Sequence, residues 1–239
     1  MLNAWTSALI SPEFLWSWMA LGLVIAAVLT KLSAPYGRHA RKGWGVALPA
    51  RWSWMVMEAV SLLAFMVCFL SSPHRSWSAW LFVAVYVIHY GYRSFLYPFM
   101  GSASAAAVPI SVSLMAVVFN TFNGSILGGA LYWSPTGPPE PTYRFALGLI
   151  LVIVGFYTHV RSDAILRNLR KVNGPGYHVP DGFLFRFVSC PNYLGELVQW
   201  CGFAVMVNHL GGWTFAFWSA ANLVPRAIDH HRWYQSRFD

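Results

Sequence analysis

The chain has 239 residues, 57% hydrophobic and only 10% charged, with 16 Lys and Arg against 8 Asp and Glu, and a mean hydropathy of +0.49. Soluble domains are about one-quarter charged, so a soluble dinucleotide fold, a DNA-binding module and a disordered chain are all disfavoured. The surplus cations sit in short clusters between long apolar runs, which reads as membrane topology before nucleic-acid binding.

No basic leader precedes the first apolar run and Pro12-Glu13 open it, so a retained span is expected rather than a cleaved signal. Residues 14–30 hold no Asp, Glu, Lys or Arg. At about 1.5 Å per residue they reach about 25 Å, near the short limit for a bilayer core. Span one is therefore expected at about 13–32, span two at about 51–72 and span three at about 77–97, the last two separated by Ser71-Ser72-Pro73-His74-Arg75. From Ser94 to Pro139 no residue is charged, but Pro98, Gly101 and Pro109 interrupt the stretch, which places span four at about 105–132. Span five follows a Pro/Gly-rich connector and runs over about 143–171, ending at Asn173-Gly174-Pro175-Gly176. Spans six and seven, about 191–209 and 212–234, join at Gly211-Gly212.

The predicted fold is all-α, a single domain over 1–239 with seven transmembrane helices. With the N-terminus outside, the inner segments 31–51, 161–190 and 226–239 carry five, five and three cations, thirteen of the sixteen, which puts the C-terminus in the cytosol. Cys68, Cys190 and Cys201 lie in apolar surroundings without ligand spacing and read as packing residues; no metal site is expected.

Ionisable groups at membrane depth are costly and point to function. Four polar stripes stand at helical spacing: Tyr90, Arg93 and Tyr97; His159, Asp163, Arg167 and Arg170; Asn192, Glu196 and Gln199; Arg226, His230 and Tyr234. All lie toward the inner ends of their spans, where they would share one cavity open to the cytosol. Glu58 is a lone carboxylate in an apolar span, expected to carry a proton unless it has a dedicated partner. Taken singly, Arg167, Arg170, Lys171, Arg232 and Arg237 are ordinary interfacial cations, Asp163 and Glu196 fit an interhelical ion pair equally well, and His74 and His209 read as loop histidines without a role. Guanidiniums beside carboxylates, Asn and Tyr suit a phosphorylated polyhydroxy ligand such as a dinucleotide. No GxGxxG or GxxxxGK[ST] loop exists to hold one, so side chains of a helical bundle would have to.

A set of short motifs runs through the chain in order: Pro35-Tyr36-Gly37-Arg38-His39, Glu58, His89-Tyr90-Gly91-Tyr92-Arg93, Asn123-Gly124, Ser162-Asp163, Arg167-Asn168-Leu169-Arg170, Tyr177-His178-Val179-Pro180, Cys190-Pro191-Asn192-Tyr193-Leu194-Gly195-Glu196 and Arg226-Ala227-Ile228-Asp229-His230. With these the chain resembles the steroid 5α-reductase family of membrane-embedded NADPH-dependent enone reductases, as a bacterial homologue of the animal type 2 enzyme. The resemblance implies a seven-helix bundle that encloses NADPH from the cytosolic side and admits a steroid or other apolar enone from the bilayer. It implies Glu58 and Tyr90 as the catalytic pair on the substrate carbonyl. It implies cofactor contacts at Arg38, Arg93, Asn123, Asp163, Arg167, Arg170, Tyr177, Asn192, Glu196, Arg226, His230 and Tyr234.

The expected reaction is reduction of the C4–C5 double bond of 3-oxo-4-ene steroids, by a monomer with membrane lipid and substrate as its partners and no nucleic acid. The membrane would be the inner membrane in a bacterium or the endoplasmic reticulum in a eukaryote. Met57, His159, Arg161 and Gln199 depart from the family pattern, and Arg237-Phe238-Asp239 stops short of its usual basic tail. A family reductase for a polyprenol, sterol or enoyl-thioester double bond, and a membrane methyltransferase of the isoprenylcysteine type, stay open as alternatives. A transporter is disfavoured because no inverted repeat is visible.

Overall fold

Apolar segments with no water to satisfy their backbone must close every hydrogen bond within themselves, and this chain does so as helices. The computed structural model describes residues 2–32, 35, 41, 43–100, 107–174 and 176–238. Among them are α1 (Leu2–Leu9), α2 (Pro12–Leu29), α3 (Ala50–Ser71), α4 (Trp77–Gly91), α5 (Ile110–Tyr132), α6 (Tyr143–Asn173), α7 (Pro191–Val207) and α8 (Leu210–Arg237). Four of these, α2, α3, α5 and α6, are long and apolar enough to cross a membrane by length and composition.

Local chemistry sets the ends. Ser11 accepts a hydrogen bond from Phe14 N at 3.3 Å, with Pro12 in the first position and Glu13 in the first turn of α2. Ser76 does the same for α4 through Ala79 N at 3.2 Å. Helix α7 stops two residues before the predicted 209, because Asn208 takes the left-handed conformation (φ 49°) and turns the chain. His209, read from sequence as a loop residue without a role, caps α8 by accepting from Gly211 N at 3.0 Å.

Three further differences from the sequence reading have physical causes. Helix α1 is additional, packed against α5, where the Cβ of an alanine at Gly129 would lie 2.8 Å from Thr6 Cγ2. The predicted start of span four at 105 is too early: residues 107–109 pair antiparallel with 47–49 as a two-stranded ribbon, β1 (Ala47–Pro49) with β2 (Ala107–Pro109). Prolines disfavour helix for the residue before them, so Pro49 and Pro109 hold extended backbone up to the first turns of α3 and α5. Span three is α-helical only to Gly91; Tyr92–Leu96 widen into a π turn and Tyr97–Phe99 tighten into a 3-10 turn at Pro98, whose ring removes a donor.

Small residues carry the helix contacts, as is usual where lipid supplies no hydrophobic drive between helices. On α6, Gly148 and Gly155 stand seven apart and meet Gly202 and Gly195 of α7, also seven apart. A Cβ on Gly148 would lie 2.5 Å from Gly202 O, and one on Gly155 the same distance from Gly195 O. Gly124 brings α5 equally close to α3, its Cβ position 2.5 Å from Ser61 O. The core between these pairs is aromatic: Phe65 stacks on Tyr86 at 4.0 Å, and Phe82, Phe203, Trp200 and Phe215 close around them.

Candidate active site

The glycine seam between α6 and α7 decides what their polar stripes meet. With the two backbones touching at Gly155 and Gly195, the next turn of α6 places His159 and Asp163 against Asn192 and Glu196. Asn192 Nδ2 donates to Asp163 Oδ1 at 3.1 Å. His159 Nε2 lies 3.6 Å from Asp163 Oδ2, and His159 Nδ1 lies 3.3 Å from Asn192 O and 3.7 Å from Glu196 Oε2. His159 and Asp163 are almost fully buried, at 1% and 2% exposure. Each of these carboxylates thus meets a histidine, where the sequence offered an interhelical ion pair without identifying the partner.

Helix α4 brings the second group. His89 Nδ1 bonds Gln199 Oε1 at 3.0 Å, and its Nε2 lies 4.0 Å from Glu196 Oε1. One turn on, Arg93 Nη2 reaches Glu58 Oε1 of α3 at 3.4 Å, with both side chains 15% exposed. Glu58 is therefore not the lone carboxylate that the sequence suggested; its partner comes from another helix. The Arg93 guanidinium lies over the rings of Tyr97 (5.1 Å) and Trp54 (5.8 Å). Glu58, Arg93, Glu196 and Arg226 of α8 are near enough to act on one another electrostatically, so α3, α4, α7 and α8 share one polar centre.

Tyr90, the proposed carbonyl donor, is buried beside this centre. Its ring lies 4.5 Å from that of Tyr86, whose hydroxyl is hydrogen-bonded to Ser61 at 2.8 Å. Ser61 and Tyr86 were missed from sequence, although each stands one turn from a residue that was chosen, Ser61 after Glu58 and Tyr86 before Tyr90. Tyr92 was missed too, and its hydroxyl accepts from Arg167 Nη1 at 3.1 Å.

The remaining candidates fall in three places. Arg167 lies 6.0 Å from the Tyr97 ring and Arg170 acts on the same tyrosine, so both join the Arg93 end of the centre, while Arg161 is exposed. Near the N-terminal end of α7 and the C-terminal end of α8, the rings of Tyr177 and Trp233 meet at 5.0 Å, Tyr234 OH donates to His178 O at 3.5 Å, and His230 Nδ1 lies 3.6 Å from Cys190 Sγ. Cys190 is thus more than packing. Asn123 accepts from Trp18 Nε1 at 3.3 Å and donates to Phe119 O at 3.0 Å, on the α2 side of α5. Arg38, with most of its motif, lies outside the described residues.

Buried carboxylates each matched to a base, a buried tyrosine and an arginine-rich end together can hold a polar, anionic molecule beside a hydrogen-bond donor facing an apolar bundle. Comparison with known proteins gives this arrangement a family. A profile described as 3-oxo-5-alpha-steroid 4-dehydrogenase matches residues 106–239. The 3-oxo-5-alpha-steroid 4-dehydrogenase 1 of Bos taurus is 35% identical over 92% of this chain and 88% of its own length, and that of Homo sapiens 34% over 92% and 86%. Steroid 5-alpha-reductase DET2 of Gossypium hirsutum is 35% identical over 95% of this chain and 93% of its own. At that identity over nearly the full length of each partner, the chain belongs to the steroid 5α-reductase family.

Proposed function

We propose that the protein is an NADPH-dependent 3-oxo-5α-steroid 4-dehydrogenase that reduces the C4–C5 double bond of 3-oxo-4-ene steroids, in a bundle of seven spans with the C-terminus in the cytosol. The observation that carries this reading is the convergence of Glu58, Tyr90, Arg93, Glu196 and Arg226 from four helices on one centre. The names of the relatives supply the substrate class.

The residues fit the cofactor. Arg93, Arg167 and Arg170 gather at Tyr97, and Arg93 Nε has no hydrogen-bond partner among the described residues, which leaves donors for phosphate oxygens. Asp163, Asn192 and Glu196 offer acceptors and an amide for ribose hydroxyls and the carboxamide. When bound, the nicotinamide supplies a hydride to the electrophilic β-carbon of the enone.

The chain's own part is to stabilise the negative charge that then grows on the carbonyl oxygen. Tyr90 donates to that oxygen from beside the Ser61–Tyr86 hydrogen bond. Glu58 is the second member of the pair. Arg93 beside it offsets the carboxylate charge, so that an enolate is not repelled. The α-carbon takes its proton from Tyr90 or from water, giving the saturated ketone. The aromatic packing around the centre excludes bulk water, so these dipoles act at low dielectric.

The test is to incubate the purified protein with NADPH and a 3-oxo-4-ene steroid and to follow the loss of nicotinamide absorbance together with the 3-oxo-5α product. Turnover is expected; consumption with a polyprenol or enoyl-thioester and none with the steroid would move the protein to another branch. Asn192→Ala is expected to raise the KM for NADPH about tenfold, with the steroid KM unchanged, because it removes the amide that orients Asp163. An unaltered NADPH affinity would make that stripe purely structural.

A further inference from the structure

Of two positions where the sequence departs from the family pattern, His159 meets the Glu196 carboxylate and Gln199 holds the second histidine that does so. Both oxygens of Glu196 face an imidazole, and the two rings come from different helices: His89 of α4 at 4.0 Å from Oε1 and His159 of α6 at 3.7 Å from Oε2. The rings lie 5.9 Å apart, centroid to centroid.

Neither imidazole is free to turn away. His89 is held through Nδ1 by Gln199, one turn beyond Glu196 on the same helix, so α7 engages both nitrogens of one ring. The ring also packs edge-on to Trp200 at 4.6 Å and Tyr90 at 5.0 Å. An amide suits this place because it serves either tautomer: with its NH2 turned toward Nδ1, it leaves the Nε2–H for Glu196. His159 is pinned by its backbone, since its N is the atom that a Cβ on Gly195 would meet at 2.5 Å. Its far nitrogen, Nε2, has no hydrogen bond among the described residues, and neither has Asp163 Oδ2 at 3.6 Å. A histidine serving only as packing would not have three oxygen acceptors arranged at its two nitrogens.

Resting on the reading of Glu196 as a cofactor contact, we propose that His89 and His159 are positioning residues that clamp the Glu196 carboxylate from two sides. At 3.6–4.0 Å these contacts are longer than hydrogen bonds. They are poised to tighten when a cofactor binds, as polar contacts at such sites commonly do. The clamp makes the direction of Glu196 a property of three helices, so the cofactor finds its acceptor already aimed.

A double-mutant cycle on the full-length protein tests this. His159→Leu and Glu196→Gln are each expected to raise the NADPH KM about tenfold with the steroid KM unchanged, and the double variant is expected to be no worse than about tenfold, because both changes remove one interaction. His159→Asn, whose amide donors can still reach the carboxylates, should restore the KM to within about threefold of the parent. It also serves as the reference should His159→Leu fold poorly. An additive cycle, with the double variant near one hundredfold, or no rescue by Asn, overturns the clamp while leaving Glu196 a cofactor contact. An unchanged KM in Glu196→Gln overturns the cofactor reading of Glu196 and the clamp with it.

Discussion

Tyr90→Phe should lower kcat by about a hundredfold to a thousandfold, the range seen when one preorganised donor to a developing oxyanion is removed. The change deletes one oxygen and little else. The ring keeps its place 4.5 Å from Tyr86 and 5.9 Å from Trp200, and the Ser61–Tyr86 hydrogen bond at 2.8 Å persists, so the bundle retains its packing. NADPH affinity should therefore stay within about twofold, because nothing in the Asp163–Asn192–Glu196 group is touched. Glu58→Gln should cost less, about tenfold in kcat, since it keeps a polar side chain beside Arg93 while losing its charge. Single-turnover kinetics with cofactor titrations on both variants decide the matter; full activity in Tyr90→Phe would remove Tyr90 from the chemistry.

Gly155→Ala, at a residue that touches no proposed ligand, should reduce activity about a hundredfold and lower stability by about 1–3 kcal/mol. Its new Cβ would meet the backbone of α7 at Gly195 O, 2.5 Å away, and at Gln199 N. No flexible side chain stands there to give way, so the two helices must part by about 1 Å to restore ordinary contact. The residues that separate first are His159 and Asp163 from Glu196 and Asn192, and a shift of about 1 Å at a catalytic centre is worth about two decades in rate. Gly91→Ala is the control for the size of the side chain: nothing lies within 4 Å of its Cβ position, so its melting temperature should match or exceed the parent's. Equal melting temperatures and activities for Gly155→Ala and the parent would show that the seam tolerates separation.

Most of the helical plan was legible because each apolar run is bounded by prolines, glycines or charge. The predicted 51–72 and 143–171 fall within one or two residues of α3 and α6. The errors sit where period and composition are silent. The stretch 107–109 is apolar and uncharged, and only pairing across the chain with 47–49 shows it to be strand. The π turn at Tyr92–Leu96 likewise carries no local signal, since its residues are as helix-compatible as those before it. At the site, the stripes on α6 and α7 were correctly taken as faces, and their convergence follows from the glycines at Gly148, Gly155, Gly195 and Gly202.

By itself the sequence determined that this chain lives in lipid, that it is helical, and which side chains on each helix share a face. Those properties follow from the cost of unsatisfied backbone in hydrocarbon and from a period of 3.6 residues, both of which act within a segment. Only the tertiary structure decided the partners. Glu58 meets Arg93 across 35 positions of chain, and Glu196 lies between His89 and His159. Helical spacing sets the direction of a side chain about its own axis, but the rotation and depth of the neighbouring helix are set by where glycines let backbones touch. The same stripes at a different depth would have made another set of pairs.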